Sequence, residues 1–140
     1  MLKREEYIRR ISSGLAHFQA ELELDNAAGL FDGNHTAEDF LCGLLNLVCG
    51  CRLENRNHRQ KNAAAVDLTD ETNRVAVQVT SDSSRGKIQS TIDRFLAHEL
   101  YRDYDQLFIL LLRDRRDYQK PFETGGRISF SAERQIGDLR

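Results

Sequence analysis

The strongest structural signal in this chain lies in residues 64–80, which read AAVDLTDETNRVAVQVT. Apolar and polar residues alternate on both sides of a polar segment at residues 70–73, and this alternation is typical of strands with one covered face. The pattern therefore predicts a β-hairpin, with strands at 64–69 and 74–80 joined by a four-residue loop.

The two faces of this hairpin differ in polarity. If Thr69 pairs with Arg74, side chains directly opposite each other share a face. One face is then apolar throughout, with Val66, Leu68, Val75, Val77 and Val79, and the other carries Ala65, Asp67, Ala76, Gln78 and Thr80. We expect this contrast to fix the register, because a slip by one residue would mix apolar and polar side chains on both faces.

The polar face has two interpretations. A carboxylate and an amide oxygen that lie diagonally on adjacent strands, here Asp67 and Gln78, can share a hard cation such as Mg²⁺, which prefers oxygen ligands. The face can equally be an ordinary solvated one, with Asp67 bonded to nearby backbone. The spacing alone leaves both interpretations open.

Helical periods lie on both sides of the hairpin. Apolar residues recur every three or four positions over residues 4–24, and again behind Thr36, which we predict to be the N-cap of a helix ending near Gly50. Residues 81–84 are predicted to cap a third helix that reaches about Leu100.

The remaining strand signals differ in strength. An apolar run at residues 107–112 predicts a central strand covered on both faces. Residues 52–57 and 127–130 are weaker strand candidates, and a helix could start at Ser131. The order α-α-β-β-β-α-β, followed by a weak β, implies an α/β domain with a mixed sheet flanked by helices.

Three segments follow from this order. Residues 1–35 form an N-terminal amphipathic helix and turn, residues 36–130 form an α/β core, and residues 131–140 are expected to begin a further segment of a longer polypeptide. The first helix is expected to pack on its own domain or to pair with its copy in a second chain.

The second predicted helix carries the chemically notable side chains. The apolar residues of this helix form a stripe that we expect to be buried. At 100° per residue, Glu38 lies on the flank of this stripe, and Asp39 and Asn46 lie on the outer face. Glu38 can therefore interact with the helix dipole or reach the sheet. We expect the three cysteines Cys42, Cys49 and Cys51 to be small buried residues, because Cys-x-Cys with His58 as the nearest further ligand is poor zinc spacing.

Composition excludes several classes of protein. The chain has 140 residues, 40% hydrophobic and 30% charged, which suits one folded domain and excludes disorder as the dominant state. Its longest apolar run is far shorter than the ~20 residues of a membrane span. The N-terminus lacks the apolar stretch of a signal peptide, so we expect a cytoplasmic protein without a membrane partner.

The charge balance points to local rather than global attraction of nucleic acid. The net charge of −2 provides no general basic field. Two groups of basic residues are local, one before the hairpin at residues 52–61 and one after the apolar strand at 113–120. Each group could neutralise phosphates or could form a solvated loop.

The order of elements, with a helix carrying Glu, a strand with Asp and a strand with Gln-x-Thr, resembles the restriction-endonuclease-like PD-(D/E)XK fold. More narrowly, the chain is similar to the SMEK domain, an N-terminal module of bacterial defence-associated proteins, over about residues 5–120. The matching segments are Gly29-Leu30-Phe31, Ala37-Glu38-Asp39-Phe40, residues 62–68, Val77-Gln78-Val79-Thr80-Ser81, Lys87-Ile88 and Thr91-Ile92.

This resemblance implies a restriction-endonuclease-like α-β-β-β-α-β core and a set of site residues. Glu38, Asp67 and Gln78 would hold one or two ions of Mg²⁺ or Mn²⁺. A lysine normally follows two residues after the last of these positions, but here the residue is Thr80, which cannot supply a positive charge. Lys87 is a displaced substitute for that lysine, a phosphate contact or a solvent-facing side chain.

The function implied is metal-dependent hydrolysis of DNA by the effector domain of a larger bacterial antiphage defence protein. Asp67, Gln78, Thr80 and Lys87 would form the catalytic set, and the nucleic-acid contacts would be Arg59, Lys61, Lys87 and Arg94. The missing lysine keeps a second hypothesis open, in which the module is inactive and serves oligomerisation or the sensing of a partner or nucleic acid.

Overall fold

The computed structural model describes residues 3–29, 32–56 and 66–139. Helices and strands follow one another as α1 (Lys3–Ala27), α2 (Asp32–Cys49), β1 (Glu54–Asn55), β2 (Leu68–Asp70), β3 (Val75–Thr80), α3 (Arg85–Ala97), a 3₁₀ turn (Leu100–Arg102), β4 (Gln106–Leu111), α4 (Ala132–Gln135) and β5 (Ile136–Gly137). Among these helices, none has the length and apolarity needed to cross a membrane.

The five strands of the described residues form one mixed sheet in the order β1-β2-β3-β4-β5. The first three strands pair antiparallel, and β3, β4 and β5 pair parallel. The connection from β3 to the parallel β4 runs through α3, as parallel neighbours require a crossover. The predicted α/β class with a mixed sheet flanked by helices is confirmed.

Each face of the sheet has its own hydrophobic core. On one side, α3 packs its Ile88, Ile92 and Phe95 against the strands, and we call this the α3-side core. On the other side, α2 packs through Leu41, and we call this the α2-side core. The central strand β4 supplies Leu107, Ile109 and Leu111 to the first core, and Phe108 and Leu110 pack against the second. The prediction of a central strand covered on both faces is therefore confirmed.

The hairpin exists, but the predicted register is wrong by two residues. Thr69 pairs with Ala76 rather than with Arg74, and Leu68 pairs with Val77. Asp70 consequently belongs to the strand, and its carboxylate accepts hydrogen bonds from the main-chain N–H and the Nδ2 of Asn73. These bonds place the turn at residues 71–74, one residue further along the chain than predicted. A shift by two preserves the faces, because side chains alternate with a period of two.

The alternation of the first hairpin strand breaks at Asp67. Leu68 lies in the α2-side core as expected, but Val66 lies in the α3-side core, so the two do not share a face. The N–H of Asp67 donates to the carbonyl of Val77, the residue that is paired with Leu68. Two residues thus oppose one, which is the geometry of a β-bulge and reverses the side-chain alternation.

Two element boundaries differ from the sequence prediction. The helix α2 begins at Asp32, four residues before Thr36, so Thr36 is not its N-cap. A cap contributes about 1 kcal/mol, which the packing of a long helix outweighs. The candidate strand at 52–57 is confirmed in position but is only the two-residue β1.

The C-terminal part also differs from the prediction. No strand forms at residues 127–130 in the described chain. Ile128 and Phe130 instead pack as irregular backbone against the α3-side core. The strand next to β4 is β5, in which Ile136 pairs with Ile109 and is 2% exposed. The helix expected from residue 131 is the four-residue α4, with Ser131 at its N-cap position but without a capping hydrogen bond from the side chain.

Candidate functional site

The predicted site residues Asp67, Gln78 and Thr80 gather at the carboxyl end of β3. Gln78 and Thr80 are the third-last and last residues of this strand, and Asp67 lies directly before the antiparallel β2. Asp67 is the extra residue of the bulge and lies opposite Val77 together with Leu68. Asp67 therefore lies on the chain beside β3, one position away from Gln78 rather than directly opposite it.

The Asp67 carboxylate is anchored on the backbone of β3. Its Oδ2 accepts a hydrogen bond of 2.9 Å from the N–H of Val79. Val79 lies beyond the residues that β2 pairs with, so the side chain of Asp67 takes the place of a strand partner there. Bonding to nearby backbone, one of the two sequence interpretations, is therefore present. The contact holds the carboxylate against the backbone of β3, one residue beyond Gln78.

Gln78 and Thr80 are both half-buried, and each is held by a local contact. The Gln78 side-chain Nε2 donates to the carbonyl of Val79 at 3.3 Å. The Thr80 hydroxyl oxygen accepts the N–H of Asp82 at 3.1 Å. Only the amide oxygen of Gln78 can serve as a metal ligand, because the nitrogen carries the donor hydrogens.

A chain of hydrogen bonds leads from Thr80 to the start of α3. The Asp82 carboxylate accepts from the N–H of Ser84, and the Ser84 hydroxyl accepts from the N–H of Lys87. The hydrogen bonds from Ser84 hold the pKa of Asp82 below its ordinary value, and the positive charges of Lys87 and Arg116 lower it further. Lys87 therefore lies with its charge towards this end of the sheet, and it is half-buried rather than fully solvent-facing.

Sequence reasoning missed the role of Ser83 and of the segment after β4. Ser83 is 2% exposed; its hydroxyl accepts from the Nε of Arg116 and its carbonyl accepts from the Tyr118 hydroxyl. These bonds join the carboxyl ends of β3 and β4. Ligands of open α/β sheets commonly bind at such carboxyl ends. Ser83 follows β3 and the segment with Arg116 and Tyr118 follows β4. Because β3 and β4 are parallel neighbours, this position after each strand could have indicated the contact.

Glu38 lies on α2 and is 7% exposed, whereas Asp39 is exposed. The predicted placement of Glu38 on the buried flank is confirmed. Its neighbours Ala37 and Leu41 belong to the α2-side core. Ala76, two residues before Gln78 on the same strand, belongs to the α3-side core. Glu38 thus approaches from the opposite side of the sheet to Gln78.

Two sequence predictions for α2 are wrong, namely Asn46 on the outer face and Cys49 as a buried residue. Asn46 is not on the outer face: its Nδ2 donates to the carbonyl of Leu53 and its Oδ1 accepts the N–H of Leu53. Cys49 is exposed rather than buried. Cys42 and Cys51 are half-buried, and each donates its S–H to a backbone carbonyl, while burial is the main cause that raises the pKa of both thiols.

The predicted nucleic-acid contacts divide into two groups. Lys87 and Arg94 are seven residues apart on α3, which places them near one face of the helix, and Arg94 is exposed. Arg59 and Lys61 lie outside the described residues.

A metal site made of three charged or imidazole ligands is not found in the described ranges. Within residues 3–29, 32–56 and 66–139, no three His, Cys, Asp or Glu side chains lie together in a way that could hold a metal ion. The predicted set of Glu38, Asp67 and Gln78 is not brought together as a whole, because Glu38 and Gln78 lie on opposite sides of the sheet. One carboxylate with one amide oxygen still suits Mg²⁺, which takes one or two carboxylates and keeps several waters.

Comparison with known proteins yields one match. The family model described as the SMEK domain matches residues 10–140. The chain matches no curated protein and no solved structure.

Proposed function

The chain belongs to the SMEK domain family, and from that premise we propose that it is a metal-dependent nuclease domain that hydrolyses phosphodiester bonds in DNA. In this proposal the domain is the effector of a larger bacterial antiphage defence protein and works in the cytoplasm. The observation that carries the proposal is the neighbouring placement of Asp67 and Gln78 at the carboxyl end of β3.

The order of elements supports a restriction-endonuclease-like fold for this domain. The helix α2 precedes three antiparallel strands, and α3 connects the third of them to the parallel β4. This is the α-β-β-β-α-β succession that we expect of that fold.

Asp67 and Gln78 would hold Mg²⁺ or Mn²⁺ together with water ligands, whereas Glu38, which lies on the other side of the sheet from Gln78, would not complete this set. A divalent ion bound there would lower the pKa of a bound water and stabilise the charge that develops on the phosphate. The chain's own part is to position these oxygens: the Val79 N–H orients the Asp67 carboxylate, and the Val79 carbonyl holds the Gln78 amide.

Thr80 and Lys87 share the task that a lysine performs in related nucleases. The Thr80 hydroxyl is neutral and is engaged by Asp82, so it can orient a water but cannot supply charge. Lys87 would supply charge from the start of α3, where its position near Asp82 suits contact with a phosphate. Arg94 would extend this contact along the same helix, and Arg59 and Lys61 would add to it from residues 57–65.

Plasmid cleavage tests this proposal. The purified domain is incubated with supercoiled DNA and either Mg²⁺ or Mn²⁺, as wild type, as Asp67→Asn and as the control Asp103→Asn, an exposed aspartate at the other end of β4. Loss of one well-placed catalytic group costs about 3 kcal/mol, or about 100-fold in rate. We expect that loss for Asp67→Asn and wild-type cleavage for Asp103→Asn. Wild-type protein that leaves the plasmid intact with both metals, or equal cleavage by the two variants, contradicts the proposal.

A second candidate function is supported by the surface of α1. Every residue from 3 to 14 is exposed, including Tyr7, Ile8 and Ile11 at 56%, 51% and 59%. Three large apolar side chains on one exposed helix face favour a partner surface. In this alternative the domain is catalytically inactive and assembles with a second copy of itself, or senses a partner or nucleic acid through that assembly.

A further inference from the structure

Arg56 lies directly across the sheet from Asp67. The pairs Glu54 with Thr69 and Asn55 with Leu68, continued by one residue, bring Arg56 opposite Asp67. A hydrogen bond of 2.8 Å from the N–H of Arg56 to the carbonyl of Asp67 supports this register. A cation and a carboxylate therefore lie side by side, just after β1 and just before β2, at the end of the sheet where β3 ends its pairing with β2.

The guanidinium of Arg56 has an unusual environment. Its Nη1 is excluded from solvent, and no described residue accepts a hydrogen bond from it. A buried donor of a charged group that lacks an acceptor costs free energy, and such donors in folded proteins call for an explanation. A ligand oxygen that occupies this position during function provides one.

We propose that Arg56 binds a phosphate oxyanion beside Asp67. The inference deepens the proposed nuclease function and rests on it for the substrate class, which is a phosphodiester of DNA. The planar guanidinium presents paired N–H donors that match two phosphate oxygens, and it stays charged at all relevant pH values. Arg56 thus adds, from the neighbouring strand edge, a second positive charge to the one that Lys87 would supply from the start of α3.

The other basic residues of this end of the sheet suit the role less well. Arg116 donates its Nε to Ser83, and both Arg116 and Lys87 lie near the carboxylate of Asp82, which compensates part of their charge. Arg52 is exposed, four residues before Arg56 on the same edge of the sheet. Among these residues, Arg56 alone has a guanidinium nitrogen that is both buried and without an acceptor in the described chain.

Phosphate-dependent thermal unfolding tests this assignment without any need for cleavage. The melting temperature of the metal-free domain is measured in EDTA with increasing sodium phosphate, at constant ionic strength set with sodium chloride. A ligand that binds only the folded state raises the melting temperature. We expect phosphate to stabilise the wild type and the control Arg52→Gln, and the dissociation constant for phosphate to rise at least tenfold in Arg56→Gln.

Two further measurements exclude a merely structural role. Without phosphate, Arg56→Gln is expected to melt at or above the wild-type temperature, because the substitution removes a buried charge without an acceptor. Arg56→Lys is expected to recover only part of the phosphate response, since an ammonium lacks the planar pair of donors. A lower melting temperature of Arg56→Gln without phosphate, or an unchanged phosphate response in that variant, overturns the assignment.

The outcomes separate this inference from the nuclease proposal. If wild-type protein cleaves DNA while Arg56→Gln binds phosphate normally, the inference fails and the nuclease proposal stands. If phosphate binding depends on Arg56 and no cleavage occurs with either metal, the nuclease proposal fails and the oxyanion site stands. A wild type that phosphate does not stabilise overturns the inference.

Discussion

Asp70 shows how one buried side chain sets the geometry of the hairpin. The residue is inaccessible to solvent. Burial raises the pKa of its carboxyl, but hydrogen bonds from Asn73 and from the main-chain N–H of Arg52 outweigh that effect and leave the pKa below its ordinary value of 3.8. The carboxylate thus joins the turn to the segment before β1. This three-way contact accounts for the two-residue difference from the predicted register.

We predict that Asp70→Asn destabilises the domain by about 2–4 kcal/mol, because an amide group brings its own donors against donors that need an acceptor. The measurement is urea unfolding at several pH values, with the exposed Asp103→Asn as the control. The folded-state pKa of Asp70 lies below the unfolded one, so its contribution is complete well above pH 3.8 and is lost as the pH falls through the folded value. The difference between wild type and Asp70→Asn should therefore shrink below about pH 4. A difference that stays constant down to pH 2 contradicts this account.

The candidate site was predictable in part at the residue scale. The period of two put Asp67 and Gln78 on neighbouring strands, and the structure places Asp67 opposite Val77, the residue before Gln78. The anchoring of Asp67 on Val79 and the bonds of Asn46 to Leu53 were not predictable. Each of these hydrogen bonds depends on which distant backbone groups lack a strand or helix partner. Helical angles and strand periods describe only nearby residues, so they cannot predict such bonds.

At the scale of the element, α3 illustrates a feature written locally in the chain. Ser84 is its N-cap, with extended backbone and a hydroxyl that accepts from the N–H of Lys87. The apolar residues Ile88, Ile92 and Phe95 recur at helical spacing and are all buried. Both the cap and the period involve residues within a few positions of each other, so the sequence predicted this helix correctly.

We predict that Ser84→Ala lowers the free energy of unfolding by about 1 kcal/mol, the usual contribution of a serine N-cap. Ser90→Ala is the matched control: Ser90 is exposed in the middle of the same helix, where alanine is the better helix former. Urea unfolding should therefore show a loss for Ser84→Ala and a small gain for Ser90→Ala. Equal stability of the two variants would contradict a stabilising N-cap at Ser84.

Short strands are the elements that local patterns locate least well. The residues 127–130 have strand-like composition, yet the place beside β4 belongs to Ile136–Gly137. A strand of two residues has no period of its own, and its position is set by which backbone can reach the free edge of the sheet while burying a side chain. Ile136 meets both conditions, since it pairs with Ile109 and lies in the α3-side core.

The whole molecule leaves half of its longest helix without cover. The carboxyl-terminal half of α1 packs on α2, with Leu22 buried and Phe18 against Phe40 at a ring separation of 5.4 Å. The amino-terminal half is exposed. Charge is distributed unevenly along this helix: residues 3–10 carry four basic and two acidic side chains, whereas residues 21–25 carry three acidic and no basic ones. Two copies in antiparallel arrangement would bring opposite charges together.

We predict that the domain forms a dimer through α1 and that the double substitution Ile8→Asp and Ile11→Asp makes it monomeric, because carboxylates on the apolar face resist desolvation. Light scattering coupled to size exclusion gives the mass directly. The control is Leu47→Asp, which changes an equally apolar and more exposed residue of α2, 85% exposed, and should leave the dimer intact. A monomeric wild type rules out this assembly.

Local patterns in the chain were sufficient for the α/β class, the three long helices, the buried β4 and the chemical character of the polar end of the hairpin. Each of these depends on residues close in sequence, through side-chain period, capping or the length of an apolar run. Packing decided the rest: the register set by Asp70, the bulge at Asp67, the choice of Ile136 as the partner of β4, and the position of Arg56 opposite Asp67. These features follow from which backbone and side-chain groups find partners after the chain has collapsed, and that matching involves the whole molecule at once.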